Sequence, residues 1–134
     1  MTQIVVDSSA LLSILLGEPD AEQFEVILAE NSGDIVFSAA NQLETMMVIE
    51  SRNPTTGIHE LRDILSVYGI GTEAITGEIA ELSFYAWKRF GRGKHPAALN
   101  FGDCFSYALA KHLNAPLLFK GKDFDQTDIA SVLN

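Results

Sequence analysis

The sequence predicts an α/β fold: a parallel sheet of short strands covered by helices on both faces. Two observations carry this. Short apolar runs recur at residues 4–6, 35–37 and 116–119, the length of buried strands and too short for buried helices. Between them lie longer segments whose apolar residues repeat at helical spacing, and strands alternating with such helices build parallel sheets buried on both sides. At 134 residues the chain is read as one domain, residues 1–134.

The elements follow in order. Residues 4–6 are the first strand. Ser8 or Ser9 is suited to cap a helix through Leu16, which Gly17 closes. A second helix spans 20–30, with Phe24, Ile27 and Leu28 on one face. After a turn at 31–34, residues 35–37 form a strand. Ser38 caps a helix to about Arg52, stopped by Asn53-Pro54. A helix over about 55–68 carries the stripe Ile58, Leu61, Ile64 and Leu65, and 69–75 holds a short, weak strand. Residues 76–90 are helical, with Ile79, Leu82, Ala86 and Trp87 facing inward. A mobile loop at 91–96 precedes a helix capped by Asn100, running 101–113 and ended by Asn114. Residues 116–119 are the next strand, and the last residues add a short edge strand.

Composition excludes several classes. With 47% hydrophobic residues the chain is globular. Its longest apolar runs are too short for a bilayer, and MTQIVVDSS lacks the basic start of a signal peptide, so no membrane is expected. The one cysteine, Cys104, fits a reducing cytoplasm and reads as a packing residue. His59, His95 and His112 share no zinc-ligand spacing. A net charge of −9 argues against a nucleic-acid coat protein. It leaves room for an enzyme that holds phosphate through a metal and a local basic patch. Lys88, Arg89, Arg92 and Lys94 make such a patch, four of nine positive charges within seven residues. Lys120 and Lys122 flank Gly121. A merely solvated loop is the alternative.

Four acids stand out. Asp7 ends the first strand and Asp123 follows the last, and in parallel sheets ligands bind beyond the carboxyl ends of strands. Glu44 and Asp103 lie on helices that would close the same crevice. A carboxylate near a core is costly unless paired, and a divalent metal is the economical partner because hard cations take oxygen ligands. Each acid has a bland alternative. Asp7 could cap the first helix, although Ser8 and Ser9 would free it. Glu44 could be a surface residue, although its same-face neighbours Ala40, Met47 and Val48 are apolar. Asp103 sits where the helix dipole favours a negative charge. Asp123 could be one loop acid beside Asp125 and Asp128.

The segments IVVDSSALLSILLGEPDAEQF, SAANQLETMMVIESR and HPAALNFGDCFSYALAKHLNAPLLFKGKDFDQTDI resemble PIN domains, and more narrowly the VapC-type toxins of bacterial toxin–antitoxin pairs. The resemblance spans essentially the whole chain, and LNFGDCFSYALAK with LLFKGKDF is its most distinctive part. It implies a three-layer α/β/α sandwich and a Mg²⁺- or Mn²⁺-dependent endoribonuclease. It also implies a homodimer neutralised by a small VapB-like antitoxin. The family's acids map onto Asp7, Glu44, Asp103 and Asp123, with Asp125 two residues beyond the last. Ser9 would orient Asp7 or a water on the metal.

In that reading one or two ions, held directly by Asp7 and Asp103 and completed by Glu44 and Asp123, activate water for in-line cleavage. The products carry a 5′-phosphate and a 3′-hydroxyl. Arg89, Arg92 and Lys94 would steer the backbone of single-stranded or loop RNA. Two other classes stay open. One is a phosphatase-like Mg²⁺ protein, which in the haloacid-dehalogenase type wants a second acid where Ser9 stands. The other is a non-enzymatic acidic binding module.

Overall fold

In the computed structural model, which describes residues 2–133, the short apolar runs become β1 (Ile4–Val6), β2 (Ile35–Ser38), β3 (Ile70–Glu73) and β4 (Leu117–Leu118). They form one parallel sheet in the order β3-β2-β1-β4. Every residue of β1 and β2 is buried. That is why both read as unbroken apolar runs rather than alternating ones.

Among the described residues six α-helices cover the sheet: α1 (Ser8–Leu15), α2 (Ala21–Glu30), α3 (Ala39–Arg52), α4 (Gly57–Val67), α5 (Gly77–Phe90) and α6 (Phe101–Leu113). The strand pleat divides the core in two. Val5, Val36 and Leu117 point into one layer with Ala86 and Phe90 of α5 and Tyr107, Leu109 and Ala110 of α6. Ile4, Val6, Ile35, Phe37 and Leu118 point into the other with Leu11 of α1 and Phe24 and Leu28 of α2. The result is the expected three-layer α/β/α arrangement. Among the described residues no helix is long and apolar enough to cross a membrane.

Several details depart from the sequence reading. The N-cap of α1 is Asp7, not a serine. Its backbone stays extended and its carboxylate accepts from Ser9 N, while Ser8 Oγ donates to Glu44 and Ser9 Oγ accepts from Lys120 N. α4 begins at Gly57, two residues later than expected. Trp87 does not face inward but is 42% exposed. The buried stripe of α5 is Ile79, Ser83, Ala86 and Phe90, and one further residue rotates about 100° away from it. The segment after α5 is tied down rather than loose. Leu99 N donates to Phe90 O at 2.9 Å, Arg92 N to Leu99 O at 3.1 Å, and Lys94 N to Gly91 O at 3.0 Å. In place of an edge strand, the described C-terminal residues make a parallel bridge, Ser131 to Leu117. Cys104 is buried in the α5–α6 core.

Candidate active site

Asp7 leaves the carboxyl end of β1 and is 4% exposed. One oxygen, Oδ1, accepts from the Ser106 hydroxyl of α6. The other accepts from Ser9 N at 3.0 Å. Burial raises its carboxyl above the ordinary range. The Ser106 and Ser9 bonds oppose this, and the Glu44 charge adds to it.

Glu44 comes from the second turn of α3. Its Oε1 accepts from Ser8 Oγ at 2.6 Å and, more weakly, from Asn41 Nδ2 at 3.4 Å. The carboxylate packs over Gly102 of α6, where a Cβ would stand 2.6 Å from Oε2 and 2.7 Å from Oε1. The apolar neighbours of Glu44 are therefore not all core, since Met47 is 62% exposed.

Asp103 occupies the first turn of α6 in a reciprocal cap. Its Oδ2 accepts from Asn100 N at 3.0 Å, and Asp103 N donates to Asn100 Oδ1 at 2.8 Å. Burial pushes its carboxyl up to about 7. The Asn100 N–H opposes that rise, and the charges of Asp7, Asp123 and Glu44 add to it. The charges of Asp7, Asp123 and Glu44 thus all act on Asp103, while among the described residues no three of these acids stand together as a ready metal-binding group. Asp123 is exposed and leads into a 3₁₀ turn, Phe124–Gln126.

No lysine, arginine or histidine forms an ion pair with any of the four among the described residues. The nearest lysine in sequence to this end of the sheet, Lys120, is occupied. Its Nζ binds Glu18 at 2.9 Å and Asp20 at 3.3 Å, and its backbone N donates to Ser9 Oγ at 3.0 Å. Asp128 is a structural acid instead, taking the Tyr107 hydroxyl, Lys111 and Arg89.

The expected basic patch divides. Arg89 turns to Asp128 at 3.6 Å. Lys94 lies over the Trp87 ring at 4.5 Å. Arg92 lines a groove of about 600 Å³ with Phe84, Trp87, Phe101, Phe105 and Asn100, and Asn100 caps Asp103. Arg92 and Lys94 have no carboxylate partner among the described residues.

Sequence reasoning did not single out Ser8, Asn41, Gly102 or Ser106 as parts of this site. A signal existed for two of them. Asn41 is three residues before Glu44 and Ser106 three after Asp103, and that spacing puts helix side chains on one face.

The PIN-domain profile matches residues 4–130. The chain belongs to the PIN-domain family. Within that family it is 45% identical to Ribonuclease VapC30 of Mycobacterium tuberculosis over 129 residues, covering 96% of this chain and 98% of that protein. It is 46% identical to Ribonuclease VapC of Mycolicibacterium smegmatis, covering 96% and 99% of the two chains. The family fold is also that of M. tuberculosis VapC20, described as a sarcin–ricin loop cleaving toxin. The two structures align with a TM-score of 0.80 over 97% of this chain and 98% of that one, at 17% identity. Full-length identity near one half sets the chain among the VapC ribonucleases of the family.

Proposed function

We propose that this chain is the endoribonuclease toxin of a toxin–antitoxin pair, cleaving RNA phosphodiesters with Mg²⁺ or Mn²⁺ bound at Asp7, Glu44, Asp103 and Asp123. Kinship with VapC ribonucleases supports the reaction class. The observation that supports the site is Asp103 in the first turn of α6, whose carboxyl is raised by burial and by the charges of Asp7, Asp123 and Glu44, with no ion pair to any of the four acids among the described residues. An all-oxygen donor set of this charge fits a hard divalent ion.

When bound, such an ion supplies charge neutralisation at the phosphate and eases deprotonation of the attacking water. The protein supplies position. Asp7 and Asp103 are assigned as direct ligands, while Glu44 and Asp123 complete the site. Ser9 holds Asp7 Oδ2 through its N–H. Arg92 and Lys94 attract the RNA backbone towards the crevice, and the narrow approach favours single-stranded or loop RNA. Arg89, being tied to Asp128, is assigned a smaller share.

The partners follow from the same reading: a second copy of the chain and a small VapB-like antitoxin, in the cytoplasm. Leu43 and Met47 on α3, Phe84 and Trp87 on α5, and Phe101 on α6 are 42–80% exposed. Phe84, Trp87 and Phe101 line one groove; exposed apolar surface of this kind marks a protein interface, and burial of this groove is expected in the homodimer.

The test is cleavage of RNA by the purified chain. Cleavage in Mg²⁺ or Mn²⁺, stopped by EDTA and absent in Asp103→Asn, is the expected result. Undiminished cleavage in excess chelator would overturn the metal reading. A phosphatase-like activity is tested in the same preparation with phosphomonoesters, on which no turnover is expected.

A further inference from the structure

Asn41 is fully buried, and both polar atoms of its side chain are engaged. Oδ1 accepts from Ser38 Oγ at 2.7 Å and lies 3.0 Å from Ser106 Oγ. Nδ2 donates to Gly102 O at 3.1 Å and faces Glu44 Oε1 at 3.4 Å. Its backbone carbonyl lies 3.4 Å from Ser8 Oγ, the hydroxyl that also holds Glu44. The chemistry fixes the amide in one orientation. Turned over, its oxygen would face a carbonyl and a carboxylate, neither of which can donate.

One side chain therefore joins the end of β2, α3 and α6 behind the acids. Through Ser106 it reaches Asp7, and directly it reaches Glu44. The Ser106 hydroxyl has a single proton, held between Asp7 Oδ1 and Asn41 Oδ1, so its direction depends on both.

We propose that Asn41 and Ser106 form a positioning pair that sets the orientation of the Asp7 and Glu44 carboxylates towards the divalent ion. This rests on the metal-site reading above, and the experiment separates the two. Mn²⁺ affinity is measured by calorimetry for wild type, Ser106→Ala, Ser106→Thr, Asn41→Leu and the control Thr45→Val. Thr45 is fully buried beside Glu44 and bonds only the Asn41 carbonyl. Melting curves establish that each variant folds, and kcat and KM are followed on one RNA oligonucleotide.

Ser106→Ala and Asn41→Leu should weaken Mn²⁺ binding about 10–100-fold, the usual loss when a group that orients a ligand is removed. Each should lower kcat with KM nearly unchanged, and Ser106→Thr should restore most of both. Should Asn41→Leu not fold, the two Ser106 variants decide the matter. Wild-type Mn²⁺ affinity in folded Ser106→Ala would overturn the inference while leaving the metal site standing. So would an equal loss in Thr45→Val, because the defect would then be one of local packing. A wild type that binds no Mn²⁺ would remove the metal reading and this inference together.

Discussion

Glu44 lies where a side chain on Gly102 would begin. A Cβ at position 102 would stand 2.6 Å from Glu44 Oε2, so one acid of the site is seated on the bare backbone of the helix that carries another. The obstruction is the mobile end of Glu44, not backbone. Gly102→Ala should therefore fold normally, with alanine's helix preference worth up to about 1 kcal/mol. Glu44 should swing off its Ser8 bond and activity should fall at least tenfold. Parallel melting and cleavage assays check this, and full activity in the folded variant would show that the seat is not needed.

The raised carboxyl of Asp103 sets a pH dependence of stability. In the unfolded chain this group titrates near 3.8, and in the fold near 7. Between those values the folded state binds the extra proton, so the metal-free protein should lose stability as pH rises from about 4 to about 7. Asp7, also raised by burial, acts in the same direction. Asp20 and Asp128 are lowered and oppose it only as pH falls through the ordinary carboxylate range and below.

Asp103→Asn should then stabilise the metal-free protein at pH 7.5 and much less at pH 5, because the amide oxygen can still accept from Asn100 N. Mg²⁺ should raise the wild-type melting temperature, by preferential binding to the native state, and raise that of the variant far less. A variant less stable at both pH values would mean that the acid serves only as a helix cap.

Asp123 and Asp125 should separate cleanly. The charge of Asp123 reaches Asp103, while Asp125 lies exposed in the 3₁₀ turn that follows. Asp123→Asn should lower cleavage strongly and Asp125→Asn by less than about twofold. Steady-state rates on one oligonucleotide would show whether that order is reversed.

The basic residues should also divide. Arg92→Ala with Lys94→Ala should weaken RNA binding and flatten its salt dependence, by about 0.7 in slope for each phosphate of a single strand that is no longer neutralised. Arg89→Ala removes an exposed ion pair with Asp128, worth about 0–1 kcal/mol, and should leave that slope nearly unchanged. Filter binding across a salt series distinguishes the two.

Local sequence was enough for the α/β class, the order of the elements and most of their ends. Those follow from short-range rules: buried strands leave unbroken runs such as Ile4–Val6, and Ser38, Thr76 and Asn100 cap the helices they precede. The four acids stand out in the sequence because a carboxylate placed next to apolar residues is conspicuous, and their joint role is the reading proposed above. Their surroundings came only from the packing of distant segments. Asp7 proved to be both a helix cap and the acceptor for Ser106, a residue 99 positions away. Arg89 was drawn off to Asp128, and Trp87 was turned to solvent beside Lys94. Gly102 became a seat for Glu44 because α3 and α6 cross there. Hydrogen-bond partners and crossing points depend on which distant surfaces pack together, and that is set by the whole core rather than by any window of sequence.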